Sequence, residues 1–460
     1  MSLIDGSQSI GRLNSCQPLC TGDRDIASFG ETRERTVIGG KTDMMGCIPS
    51  LPPARHSAAF TMNTPRDNSW RRNRDIYDLP AVKDRPQAVY IHVPFCRHRC
   101  GYCDFTLVAG QDDLVDQYLQ ALANELSQHN EACPMDSIFV GGGTPTHLSP
   151  PQLRHLLELI EDRFPLTGNG EYTFEANPDG LCEDRLQVLS DAGVNRISLG
   201  VQSFDPAILK TLERTHSPQD SRDVVCRVHS AFPNVSLDLM FGVPGQSESS
   251  WHQTLVTAVE LPVQHVSAYG LTFEKGTTFY RRRSQDQLQP VSSEDERGQY
   301  AMAMSILKEA GFQQYEISNY ARPGAECRHN KVYWDACEYF AFGPGAARYV
   351  NGVRSTNSRN VKRWIECWLQ NEPLLQTCEQ LSATERAREA VMLGLRRNRG
   401  IEQHAFQQRF GCSVRSLAPA AFTQHLEQGL LVEVLEDSDR WLRLSDEGGF
   451  LADSVIVDFL

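Results

Sequence analysis

The chain has 460 residues, 40% of them apolar, and a formal net charge of −13. That length is too great for one ordinary domain and suits one large domain plus a smaller one, and the acidic balance argues against nucleic acid as a partner. No apolar run approaches the roughly eighteen residues that cross a bilayer, and no basic start precedes an apolar stretch as in a secretory signal. Fourteen cysteines scattered through so long a chain favour a reducing compartment, and the cytoplasm is the expected location.

Residues 1–85 are rich in Gly, Ser, Pro, Asn and Arg without a sustained period and read as a disordered extension. Met62 could be the true start, and the pair Cys16 and Cys20 in this stretch is taken as chance. From Gln87 the texture changes to short strands, expected over 88–93, 137–140, 171–176, 196–199, 236–240 and 265–271. Amphipathic helices alternate with them: Leu114, Tyr118, Leu119, Leu122 and Leu126 form one helical face. Ser149-Pro150-Pro151 reads as a helix start, with Leu153, Leu156, Leu157 and Ile160 following at helical spacing. Six such units with short connections mean a parallel sheet with right-handed crossovers, either doubly wound or closing toward a barrel.

After about residue 381 the style shifts again. Helices are expected over 385–395 and 419–428, then a hairpin from 430–434 and 441–444. Helices followed by a small hairpin suggest a winged-helix-like module. From Leu381 onward there are nine arginines, no lysine and twelve acidic residues, a net of −3 that offers little to a phosphate backbone, so a structural or docking role is expected.

The densest chemistry lies in Cys96-Arg-His-Arg-Cys100-Gly-Tyr-Cys103, directly after the first strand. CxxxCxxC puts three thiolates on one tight loop. Electron-transfer [4Fe–4S] clusters usually take four cysteines, so three leave one iron free to bind a small molecule. A zinc knuckle is the competing reading, but no fourth Cys or His stands nearby at finger-like spacing. Gly141-Gly142-Gly143-Thr144-Pro145 after the second strand lets the backbone approach a ligand and offers N–H groups and a hydroxyl. Glu175 ends the third strand and competes with a reading as a satisfied structural carboxylate. Gln202, Arg214 and Asp238 extend the polar ring, with Arg214 expected on a helix.

Together, Tyr90-Ile-His-Val-Pro-Phe-Cys96, Cys103-Asp-Phe105, Gly141–Thr146, Phe174-Glu-Ala-Asn-Pro178, Arg196–Phe204 and Asp238–Pro244 resemble the HemN/HemW family of radical S-adenosylmethionine (SAM) proteins. Arg388–Arg396 and Leu444–Gly448 resemble that family's C-terminal domain. The resemblance runs from about Tyr90 to Leu460. It implies an α/β fold, a partial (β/α)6 TIM-like radical-SAM barrel with a small winged-helix-like α+β domain. The implied divisions are an extension over 1–85, a barrel with a heme-binding segment over 86–375 and the C-terminal domain over 376–460. It implies a [4Fe–4S] cluster on Cys96, Cys100 and Cys103, and SAM contacts from Tyr90, Gly142, Gly143, Thr144, Glu175, Gln202, Arg214 and Asp238.

Two subgroups differ at one position. The oxygen-independent coproporphyrinogen III oxidases read CxxxCxxCxC, whereas here Phe105 holds the place of the last cysteine, the pattern of the HemW-like heme chaperones. His329-Asn330-Lys-Val-Tyr333-Trp334 resembles the HNxxYW heme-binding string, which implies His329 as the heme contact, with Cys327 as a lesser competitor. One departure stands out: Ala347 occupies a place where the family commonly has histidine. The implied function is a heme chaperone that passes heme to an acceptor protein. The alternative is a radical-SAM coproporphyrinogen III oxidase of porphyrin biosynthesis, and a weaker third reading is an iron–sulfur radical enzyme acting on a non-tetrapyrrole substrate. Whether the chain is an enzyme, whether SAM is cleaved, which electron donor serves it and whether it forms a homodimer are open from sequence.

Overall fold

The computed structural model describes residues 86–129, 131–436 and 438–460. The extension over 1–85, with Cys16, Cys20 and Met62, lies outside the described residues. All six expected strands form: β1 (Ala88–Val93), β2 (Met135–Gly142), β3 (Leu166–Ala176), β4 (Arg196–Gln202), β5 (Asn234–Phe241) and β6 (His265–Gly270). They lie parallel and in chain order across one sheet. Helices α1 (Val115–Leu126), α2 (Pro150–Arg163), α3 (Glu183–Asp191), α4 (Pro218–Ala231) and α5 (Glu248–Glu260) connect them. The start read at Ser149 is a capping box, in which Gln152 Oε1 accepts the Ser149 N–H at 3.2 Å.

Side chains alternate across these strands with period two. Val89, Ile91, Val140, Phe174, Leu199, Leu237 and Val266 join the helices in the main core, and each fully buried aliphatic contributes about 1.5–3 kcal/mol. The intervening positions face the interior of the curved sheet and are largely polar: His92, Ser137, Glu171, Glu175, Arg196, Ser198, Ser236, Asp238 and His265. That alternation makes the sheet a scaffold for chemistry on its inner side.

The elements between β6 and residue 381 were not read from the sequence. After α6 (Ser293–Glu309), β7 (Asn319–Ala321) adds antiparallel to β6. Helix α7 (Arg328–Trp334) then enters the barrel interior, and β8 (Phe340–Phe342) adds parallel to β1 at the opposite edge. Strands β9 (Ala347–Val350), β10 (Val353–Asn357) and β11 (Leu375–Gln380) form a separate antiparallel sheet flanking α8 (Val361–Leu369). A second core, from Ala387 to Phe459, gathers α9 (Ala383–Leu395), the helix Pro419–Glu427 and the hairpin of Leu431–Glu436 with Asp439–Leu444. Helices followed by a hairpin is the order that the patterning predicts. No helix among the described residues is long and apolar enough to cross a membrane.

Candidate functional site

The cysteine loop leaves β1 at Pro94 and is pinned where Phe95–Cys96 pairs in parallel with Val108–Ala109. Two arginines hold its carbonyls inward. Arg99 donates to the carbonyl oxygens of Cys103 (3.2 Å), Phe105 (3.3 Å) and Leu107 (2.7 Å). Arg359, from the segment before α8, donates to the Asp104 carbonyl and to Thr106 Oγ1 (3.1 Å). Sequence reasoning missed both; Arg99 stood between the first two cysteines, but nothing near Arg359 marked it.

Cys96, Cys100 and Cys103 all line one cavity of about 770 Å3 at the C-terminal ends of the strands. Burial pushes the Cys96 thiol up to about 11 and the Cys103 thiol up to about 12. Arg214 Nη1 lies 3.6 Å from Cys100 Sγ, a cation placed where thiolates would need one. Among the described residues no three Cys, His, Asp or Glu side chains converge to hold a single metal ion. Three thiols that line one open cavity fit a cluster with an open corner.

The glycine turn of β2 abuts this loop. A Cβ on Gly143 would sit 2.6 Å from the Phe95 carbonyl oxygen and 3.1 Å from Cys96 Sγ, and Gly142 adopts φ +114° beside the His92 ring. Thr144 Oγ1 lies 3.2 Å from Cys96 Sγ and accepts from Asn177 Nδ2 at 2.7 Å, so Thr144 braces the cysteine from behind. Glu175 Oε2 accepts the Gly142 N–H at 2.9 Å, while its buried Oε1 has no partner among the described residues. Burial, reinforced by the charge of Asp238, pushes the Glu175 carboxyl up to about 8. Asp238 accepts from Ser198 Oγ at 3.2 Å, and its carboxyl is raised in turn by burial. Gln202 ends β4 with φ +67°, next to a register shift at Gly200 that turns its side chain into the cavity. A carboxylate oxygen without a partner, two acids and a guanidinium around the open side of the cysteine loop suit a ligand carrying ammonium, carboxylate and hydroxyl groups.

Two expected positions differ. Arg214 is not on a helix: the helix Pro206–Thr211 ends first, Glu213 turns left-handed (φ +58°), and Arg214 follows in the coil, donating to the Gly200 carbonyl at 2.8 Å. Tyr90 does not line the cavity. His92 Nε2 must donate to the Thr106 carbonyl (2.7 Å), which leaves Nδ1 to accept from the Tyr90 hydroxyl (3.0 Å). Tyr90 thus steadies the cysteine loop through His92, whose pKa burial lowers to about 4 and so keeps neutral.

His329 also lies apart from the cavity. Helix α7 plugs the barrel floor, its start capped by Glu171 of β3, which accepts the backbone N–H groups of Arg328 and His329 at 3.1 Å each. Arg196 faces the same carboxylate at 3.8 Å. The His329 ring is fully buried, with Nδ1 2.5 Å from Ser137 Oγ and Nε2 2.8 Å from the Tyr333 hydroxyl, against Phe139. Both nitrogens are engaged, and burial lowers its pKa to about 3. Cys327 points to Glu171, and burial raises its thiol. Ala347, buried in β9, does not line the cavity either.

Residues 90–258 match the Radical SAM superfamily and residues 381–451 match the HemN C-terminal domain. The chain is 36% identical to "Heme chaperone HemW" of Bacillus subtilis over 379 residues, 81% of this chain and 99% of that protein. It is 34% identical over 404 residues to "Radical S-adenosyl methionine domain-containing protein 1, mitochondrial" of Bos taurus, covering 83% and 89%. Its fold matches the Escherichia coli coproporphyrinogen III oxidase HemN with a TM-score of 0.71, over 82% of this chain and 90% of that one at 21% identity. This chain therefore belongs to the HemW family of the radical SAM superfamily.

Proposed function

We propose that this chain is a heme chaperone, which binds heme beside a SAM-binding [4Fe–4S] site and hands it to an acceptor protein. The observation that carries the reading is Phe105. Two residues beyond Cys103, where the oxidase pattern has cysteine, a phenyl side chain lines the cavity, in a chain whose near full-length relatives are named heme chaperones.

Cys96, Cys100 and Cys103 would hold the cluster, with Thr144 behind Cys96 and Arg214 beside Cys100. Gly142 and Gly143 would bring the backbone against SAM, and Glu175 would offer its unpartnered Oε1. Gln202 and Asp238 would complete the contacts, while Tyr90 acts through His92. A reduced cluster with SAM bound supplies one-electron chemistry. His329 would meet heme iron only after α7 lifts from the floor and the bonds to Ser137 and Tyr333 break. In this reading 86–375 form the barrel, 376–460 the C-terminal domain and 1–85 an extension. The setting is the cytoplasm, the partners are an acceptor protein and, where the cluster is reduced, an electron donor. A homodimer is compatible with this reading, and nucleic acid has no part in it.

The test is an anaerobic heme titration of the cluster-reconstituted protein and of His329→Ala, with a parallel coproporphyrinogen III assay. A Soret band lost in the variant, without porphyrinogen turnover, is expected. Turnover without heme binding would overturn the chaperone in favour of the oxidase.

A further inference from the structure

The cavity is longer than the SAM residues require. Those residues come from the cysteine loop, β2 to β5 and Arg214, whereas the cavity continues to the junction of the barrel with the C-terminal domain. Toward that junction its wall carries Phe241, Tyr269, Tyr300 and Phe450 beside the acids Glu296 and Asp453. Two guanidiniums, Arg297 of α6 and Arg396 at the end of α9, line the same end.

Both are fixed in place. Arg297 stacks on Phe450, its guanidinium carbon 3.8 Å from the ring centroid, and Nη2 donates to both oxygens of Glu447 at 2.9 and 3.0 Å. Arg396 lies over Trp334, Nη1 donates to Asp453 at 3.0 Å, and its buried Nε has no acceptor among the described residues. Glu447 is 67% and Asp453 76% exposed, against 45% for Arg297 and 17% for Arg396, and Asp453 also lines the cavity. Such surface pairs are worth a factor of about five or less.

Resting on the chaperone reading, we infer that this far compartment seats the cargo macrocycle, with Arg297 and Arg396 as receptors for its two carboxylates. A flat apolar body edged by two carboxylates matches an aromatic slot edged by two guanidiniums, whichever side chain meets the iron. A carboxylate held within the cavity makes a charge-assisted bond worth about tenfold or more, and so displaces the exposed Glu447 and Asp453. Loading would thereby loosen the hold of the C-terminal segment on α6. Glu296 lines the same end, and burial raises its carboxyl.

The experiment compares ferric heme with its dimethyl ester, titrated by absorbance into the full chain carrying its cluster. The wild type is expected to bind the free acid about tenfold more tightly than the ester. R297Q with R396Q should abolish that difference while SAM binding is retained. E447Q with D453N, which removes the competing acids, should widen it several-fold. Equal affinity for acid and ester in the wild type overturns the carboxylate seat and leaves the chaperone reading standing. No Soret change with either ligand overturns the chaperone reading and this inference with it. Should the arginine variant fail to fold, the ester comparison and the E447Q/D453N pair decide.

Discussion

On β3, Glu175 leaves Oε1 without a partner beside the cysteine loop, while four residues earlier Glu171 uses its carboxylate on the first N–H groups of α7 and faces Arg196. The same contrast holds around the barrel. At the C-terminal ends of the strands, thiols, an unpartnered carboxylate oxygen and a strained Gln202 line a cavity. At the other end, His329 has a partner on each nitrogen, and His265 is held between Ser236 Oγ at 2.8 Å and the Tyr315 hydroxyl at 2.9 Å. Buried polar groups stabilise a fold when they are satisfied; those left open at the upper end line a cavity, whereas the open Arg196 Nη2 and Trp334 Nε1 of the floor do not. The upper end is therefore equipped for binding and the floor for holding.

The sharpest break in that contrast is Cys100→Ser. Removing one of three ligands should abolish the cluster after anaerobic reconstitution, read as iron content and visible absorption, while unfolding free energy changes by less than about 0.5 kcal/mol. A fully loaded variant would mean that these thiols are not the ligands.

At the floor the effects should reverse. Glu171→Ala leaves Arg196, 2% exposed, without its carboxylate and uncaps α7. Losing one partner of a buried pair costs about 3–5 kcal/mol, so denaturant unfolding should show a loss of that order while cluster loading persists in the folded fraction. A loss under about 1 kcal/mol would show that the floor is held elsewhere.

Glu175→Gln compares the two carboxylates directly. A buried carboxyl held at about 8 against an ordinary 4.5 stabilises the fold fully below pH 4.5 and loses that contribution as pH rises toward 8. At pH 7 the ligand-free wild type has lost much of it, whereas glutamine keeps its bond to Gly142 without a charge. The variant should therefore be more stable by roughly 1–3 kcal/mol at pH 7 and indistinguishable near pH 4, yet bind SAM more weakly. Equal stability at both pH values would remove the claim that this carboxylate is held in readiness for a ligand.

Much of the upper end was legible in the sequence because its chemistry is local. CxxxCxxC, the triple glycine and acids at strand ends each lie within a few residues, and the strands that carry them alternate strongly enough to be found. Arg99 and Arg359 were not, since a guanidinium that holds loop carbonyls has no spacing to betray it. Strand β8 is three residues long, too short for any period to show, and it pairs with β1 about 250 residues away in sequence. The floor was less legible for a different reason. HNxxYW displays a histidine among aromatics, and a sequence does not tell a ligand from a core residue. That distinction rests on Ser137 and Glu171, 192 and 158 residues upstream, which close over the histidine. Arg214 slipped from helix to coil through the left-handed Glu213, a conformation for which glutamate gives no signal.

The smallest change asks whether floor and cavity communicate. Tyr333→Phe deletes the hydroxyl 2.8 Å from His329 Nε2 and keeps the ring packed edge-on against Tyr339, with centroids 4.5 Å apart. The imidazole then has one buried nitrogen without a partner, a penalty of about 1 kcal/mol or more that falls on the closed floor and not on an opened one. If heme reaches His329 by the lifting of α7, the opened population grows and heme uptake should accelerate about fivefold, with the same final Soret spectrum, in stopped-flow mixing. An unchanged rate beside a measurable loss of stability would mean that heme is taken up without opening the floor. His329 would then be a structural residue of the barrel, and the binding of cargo would belong to the cavity alone.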